Sequence, residues 1–193
     1  MNILVDQLPG WVSIDGKQYK LATDFHIGLR IILAFEDEDL TTFEKQSILL
    51  TLLYPVIPEN VEEAVKQGVK FLNGGEEPKE SEEVGLRLYS FTKDANFVFA
   101  AFRQTHNIDL EEVNMHWWKF LALFMDMGSE TTFCQLVSLR KRVKSGEATK
   151  EERKLAREME DIFDIPEPDN MSLEERELEQ AFLQSLEKHN HGG

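Results

Sequence analysis

The sequence predicts a mainly α-helical protein: a multi-helix globular domain that opens with a small β-hairpin and closes with a helical appendage. Three observations carry this. Polar residues followed three positions later by a carboxylate recur along the chain, at Thr41 with Glu44, Asn60 with Glu63, Thr149 with Glu152 and Ser172 with Glu175, and each pair is a helix start signal. Only one stretch alternates as a strand does, and it is split by Asp15-Gly16. Prolines and paired glycines fall between the helical patterns, where they act as breaks.

Taken in order, Trp11–Leu21 is the hairpin, its Asp-Gly pair suited to a tight two-residue turn. Two strands alone are marginal, so the hairpin must pack on helices or join strands from a neighbouring subunit. Helices are predicted at Asp24–Phe35, Thr42–Leu53, Val61–Phe71, Lys93–His106, Leu110–Met127, Thr131–Lys144, Lys150–Phe163 and Leu173–Leu186. Pro55 and Pro58 end the second and restart the chain before the third, and a solvated loop at 73–82 separates two lobes. Residues 1–164 form the domain. Residues 165–193 are an acidic, proline-stiffened linker and an amphipathic helix whose stripe is Leu173, Leu178, Phe182 and Leu186. That stripe needs a cover, which its own core, a neighbouring subunit or a client can each provide.

Composition narrows the function. The 36 acidic against 21 basic residues give a net charge of −15, which repels a phosphate backbone, so no nucleic-acid partner is expected. No window is long and apolar enough for a membrane span, and Met1–Asp6 lacks the basic start of a signal peptide. Cys134 is the single cysteine, which reads as apolar filler in a chain that works in a reducing cytosol or is indifferent to redox state. The cations Arg140, Lys141, Arg142 and Lys144 either compensate the negative end of their helix or meet an acidic partner surface.

Catalytic apparatus is missing from the sequence. It has no phosphate-binding glycine loop, nucleophile elbow, zinc-protease helix motif or cysteine pair, so neither an enzyme nor a metal or cofactor site is expected. Glu36-Asp37-Glu38-Asp39 lacks the spacing and glycine of a calcium loop and reads as a solvated linker. His26, His106 and His116 have no metal-ligand spacing and read as edge or core residues, while His189 and His191 receive no role.

Aromatic weight is concentrated in one stretch, and with it the candidate interaction residues. Trp117 and Trp118, adjacent on a helix, point about 100° apart. Either their helix is central and surrounded, or one indole anchors a subunit or client. Trp117, Trp118, Phe120 and Phe124 are the core candidates of this region, and Leu178, Phe182 and Leu186 are the candidate docking stripe.

The same stretch carries a family likeness. Tyr89-Ser90-Phe91-Thr92-Lys93-Asp94-Ala95 leads to Ala100-Ala101-Phe102-Arg103-Gln104, then Asn107-Ile108-Asp109-Leu110, then His116-Trp117-Trp118-Lys119-Phe120-Leu121-Ala122-Leu123-Phe124, and last the Thr132–Arg142 helix. This order resembles the bacteriophage gene-product-fifteen family of long-tailed phages and prophages, from the hairpin to about Ile165. The resemblance implies a tail assembly chaperone encoded just before the tape measure protein. Such a protein binds and solubilises that long helical client in the host cytoplasm, gives way to tail tube protein, self-associates along the client, and is missing from the finished virion. A structural or regulatory minor tail component is the main alternative. An acidic DNA mimic and a carboxylate-based or metal-assisted hydrolase are the more distant ones.

Overall fold

The computed structural model describes residues 3–76 and 87–165. Strands β1 (Trp11–Ile14) and β2 (Lys17–Lys20) form an antiparallel hairpin that pairs Trp11 with Lys20 and Ile14 with Lys17. Asp15 and Gly16, at φ 49° and 77°, make its turn, both in the left-handed region that a turn of matching twist requires. The hairpin rests on helices: Ile14 is buried and β1 packs on α3 (Val61–Leu72). At its base the Leu21 N–H donates to the Gly10 carbonyl, and the Ala22 N–H to that of Leu53.

The other helices are α1 (Phe25–Glu36), α2 (Thr42–Leu53), α4 (Ala95–His106), α5 (Trp117–Met125), α6 (Thr132–Lys144), α7 (Lys150–Glu158) and α8 (Glu160–Phe163). The predicted caps form at α2, α3 and α7. Thr41 with Glu44 and Thr149 with Glu152 make complete reciprocal boxes. At α3, Asn60 accepts from the Glu63 N–H, while the Glu63 carboxylate accepts from Gln67 instead of reaching back. Ser172, Glu175 and the predicted helix Leu173–Leu186 lie outside the described residues.

Two predicted helices are corrected. Leu110–Met127 is not continuous, because α5 starts only at Trp117. Asn107 takes a left-handed conformation (φ 53°) and ends α4, and the Asp109 carboxylate accepts from the Glu111 N–H. Residues 115–117 then run beside the entry to α1: the Phe25 N–H donates to the Met115 carbonyl and the Trp117 N–H to the Thr23 carbonyl. Lys150–Phe163 is interrupted at Met159 (φ −110°, ψ 24°), which turns the carbonyls of Ile162 and Phe163 toward Arg140.

A single large core joins the residues before position 77 to those after 86, with Ile31, Leu49 and Leu53 in the same cluster as Phe91, Phe102 and Phe124. Helix α5 lies against both α1 and α4, and the Phe120 ring is its centre. That ring stacks on Phe25, Phe102 and Trp117 at centroid distances of 5.2, 5.0 and 5.4 Å. A satellite cluster of Leu136, Leu139, Ala156 and Phe163 ties α6 to α7 and α8.

Candidate functional site

Among the described residues an apolar groove opens between α1 and α4. Both helices rest on α5, and the space left between them has a volume of about 270 Å³. Buried Phe25, Phe91, Val98 and Phe120 form its floor, while half-buried Leu29 and His26 from α1 face exposed Ala95 and Phe99 from α4 across its mouth. Leu110 and Glu111, from the segment that sequence alone made helical, close one end.

Its chemistry is plain. Glu111 and His26 are the titratable lining groups, and one ring nitrogen of His26 is 2.9 Å from the Asp24 carboxylate. No Ser, Thr, Cys or Lys lines the groove, and among the described residues no group of three or more His, Cys, Asp or Glu could hold a metal ion. The volume lies below the roughly 300–1,000 Å³ of small-molecule pockets. An open, apolar slot of this size suits one or two side chains of an amphipathic helix, the helix-in-groove mode.

The sequence-predicted residues divide. Trp117 and Phe120 are fully buried and Phe124 is 6% exposed, so of these only Phe120 reaches the groove, as floor. The tryptophan pair works on α3. The Trp117 indole N–H donates to the Leu72 carbonyl at 2.9 Å and the Trp118 indole N–H to that of Phe71 at 2.7 Å. Two indoles about 100° apart thus meet two consecutive helix-end carbonyls, groups with no partner inside α3. Gly28 permits this, since a Cβ there would lie 2.4 Å from the Trp117 ring. Leu178, Phe182 and Leu186 lie outside the described residues.

Two charge readings are corrected. Arg140 is no part of a surface basic cluster: its side chain is completely buried and donates to both carboxylate oxygens of buried Asp94 at 2.6 and 2.9 Å. Its remaining N–H groups go to the carbonyls of Leu88, Ile162 and Phe163. Arg142 bonds Glu152 and Lys144 bonds the Arg87 carbonyl. Nor is Glu36 solvated linker. Its side chain is 6% exposed and accepts from Ser90, the Phe91 N–H, and both the N–H and hydroxyl of Thr92, joining the end of α1 to the entry of α4.

Sequence reasoning missed the groove rim at His26, Leu29 and Phe99. One signal was present: α1 is apolar nearly all round, with Phe25, Ile27, Leu29, Ile31, Ile32, Leu33 and Phe35, too much for a helix with a single buried face.

Comparison with known proteins adds what geometry alone does not. A family model described as Bacteriophage Gp15 protein matches residues 4–165. The chain belongs to the bacteriophage Gp15 family. No curated protein and no solved structure matches it. The Gp15 match takes in the hairpin, the groove, the tryptophan pair and the Arg140–Asp94 pair, and it ends at Ile165, the last described residue. No helix among the described residues of this Gp15 protein is long and apolar enough to cross a membrane.

Proposed function

We propose that this Gp15 protein is a tail assembly chaperone, which binds the tape measure protein and keeps it soluble until the tail tube polymerises around it. The observation that carries the reading is the open apolar groove between α1 and α4 in a protein of a phage family. A long helical client exposes apolar stripes that drive aggregation, and a slot that takes one or two side chains masks one turn of such a stripe at a time. Many weak contacts repeated along one client give avidity, and polymerising tube subunits can displace them without a nucleotide. The net charge of −15 keeps the coated assembly dispersed. In this reading the protein is no enzyme, works in the host cytoplasm, self-associates along the client and leaves before the virion is complete.

The test is co-expression with the tape measure protein of the same phage. The client is expected in the soluble fraction with the unaltered chain and in the pellet with Phe99→Glu, which places a charge at the groove mouth on a residue already 39% exposed. Equal solubility of the client in the absence of this protein overturns the reading.

A further inference from the structure

Among the described residues that line the groove, Glu111 carries the one fixed charge, at the end that it closes with Leu110. Apart from His26, whose ring bonds Asp24, every other lining residue is apolar. The surroundings leave the Glu111 charge unanswered. Asp109, Glu111 and Glu112 put three carboxylates into four positions of the segment between α4 and α5. Arg103 is already bonded to Asp109 at 3.3 Å, and among the described residues the exposed Glu111 side chain has no hydrogen-bond or ion-pair partner. The backbone holds it in place. The Glu111 N–H donates to the Asp109 carboxylate at 3.1 Å, the Glu112 N–H to the Asp109 carbonyl at 3.2 Å, and Leu110 packs on the large core between them. A carboxylate already fixed at the rim of an apolar slot needs little further ordering when a partner binds.

What the slot accepts follows from these two parts. The rings of Phe25, Phe91 and Phe120 on its floor suit a Leu, Met or Phe side chain. On a helix, residues three or four positions from such an anchor stand about 5–6 Å along the same face, which sets one of them over the end of the groove. A Lys or Arg there meets the Glu111 carboxylate, whereas an Asp or Glu meets a like charge, so the site discriminates by repulsion as well as by attraction. We propose that the groove selects helical turns in which a large apolar residue has a Lys or Arg, and no acid, three or four positions away. This inference rests on the client-binding reading and narrows it: copies of the protein seat where such basic amphipathic turns recur along the tape measure protein. The net charge of −15 draws basic segments in, but salt screens that field beyond about 8 Å, and the choice among turns is made at contact by Glu111.

The experiment uses the full chain and three labelled synthetic helical peptides. All three share one stripe of Leu and Phe and differ only at the positions four residues before and after the central Phe, which are Lys, Gln or Glu. Fluorescence anisotropy in about 0.15 M salt reads their affinities. The Lys peptide is expected to bind about two- to fivefold more tightly than the Gln peptide, and the Glu peptide more weakly by a similar factor, the range of a partly exposed charge pair. Glu111→Gln should abolish this order and Glu111→Lys should reverse it. Glu62→Gln, on the exposed surface of α3, changes the net charge as much as Glu111→Gln and should leave the order intact. Phe99→Ser, at the groove mouth, should weaken all three peptides alike, by about three- to tenfold. An order that survives Glu111→Gln, or that Glu62→Gln removes as well, assigns the preference to net charge and overturns the proposal. Equal affinities that Phe99→Ser still lowers overturn it too, but leave the groove as a client site. Binding by none of the peptides overturns both.

Discussion

Replacing Arg140 with Met tests the arrangement that holds α4, α6 and the end of α8 together. The methionine matches much of the volume but supplies no donor. Asp94 then keeps a completely buried carboxylate whose remaining partner is the Ser90 N–H, and the carbonyls of Leu88, Ile162 and Phe163 lose theirs. Breaking one side of such a buried pair costs about 3–5 kcal/mol, against a total of about 5–15 kcal/mol for a typical domain. With a urea slope of about 2 kcal/mol per molar, the unfolding midpoint falls by about 2 M. Circular dichroism during urea titration reads this directly. Arg140→Lys retains a charge but not the fork that reaches five acceptors, so it should fall between. Arg140→Met with Asp94→Leu should recover part of the loss, since the stranded charge goes with its partner. A loss under about 1 kcal/mol for Arg140→Met, or a double variant no better than the sum of the singles, refutes the assignment.

Gly28→Ala should destabilise by about 1–2 kcal/mol. The Cβ meets Trp117 at 2.4 Å, an overpacking cost of about 1–3 kcal/mol that outweighs the roughly 1 kcal/mol an alanine adds to a helix. Trp117→Phe in the same chain should relieve the clash, read as a positive coupling in a double-mutant cycle. His116 gives a pH dependence. Its Nδ1 accepts from the Trp118 N–H at 3.0 Å and its Nε2 donates to the Pro9 carbonyl at 3.0 Å, so the neutral ring is the one that fits. Burial holds its pKa below 6.5, against the opposing effect of the Pro9 bond. Between the folded value and 6.5 the unfolded chain binds more protons, so stability is complete above 6.5 and is lost as pH falls through that window. His116→Asn keeps an oxygen for the Trp118 N–H and should flatten this slope in melting curves below pH 6.5, and an unchanged slope contradicts the assignment. Glu44 and Glu152, both held below the usual carboxylate range by cap N–H groups, add a loss of the same sign at lower pH.

What was legible in the sequence was local. Thr41, Asn60 and Thr149 find their partners within three residues, and Asp15-Gly16 closes a turn between adjacent strands. What was not legible depends on distant pairing. Arg140 meets Asp94 46 positions away, and Glu36 meets Ser90 54 positions away, so each looked like surface charge beside its sequence neighbours. Leu110, Val113 and Trp117 stand three and four positions apart, as on one helix face, yet Leu110 and Val113 follow a left-handed Asn107 and pack on the large core from a loop. The tryptophan pair, about 100° apart on α5, finds both its acceptors on one neighbour, two successive carbonyls at the end of α3, and this is visible only once α5 crosses that end. The groove belongs to this class: its residues come from α1, α4, α5 and the loops, and it exists because α1 and α4 share α5 as a support.

The most direct test of the chaperone reading is the mass, by light scattering, of whatever co-purifies with the tape measure protein when the two are expressed together. The reading predicts a soluble complex with many copies of this chain per client, and loss of that mass with Phe99→Glu. A client that elutes alone at its own mass, with this protein separate, contradicts it.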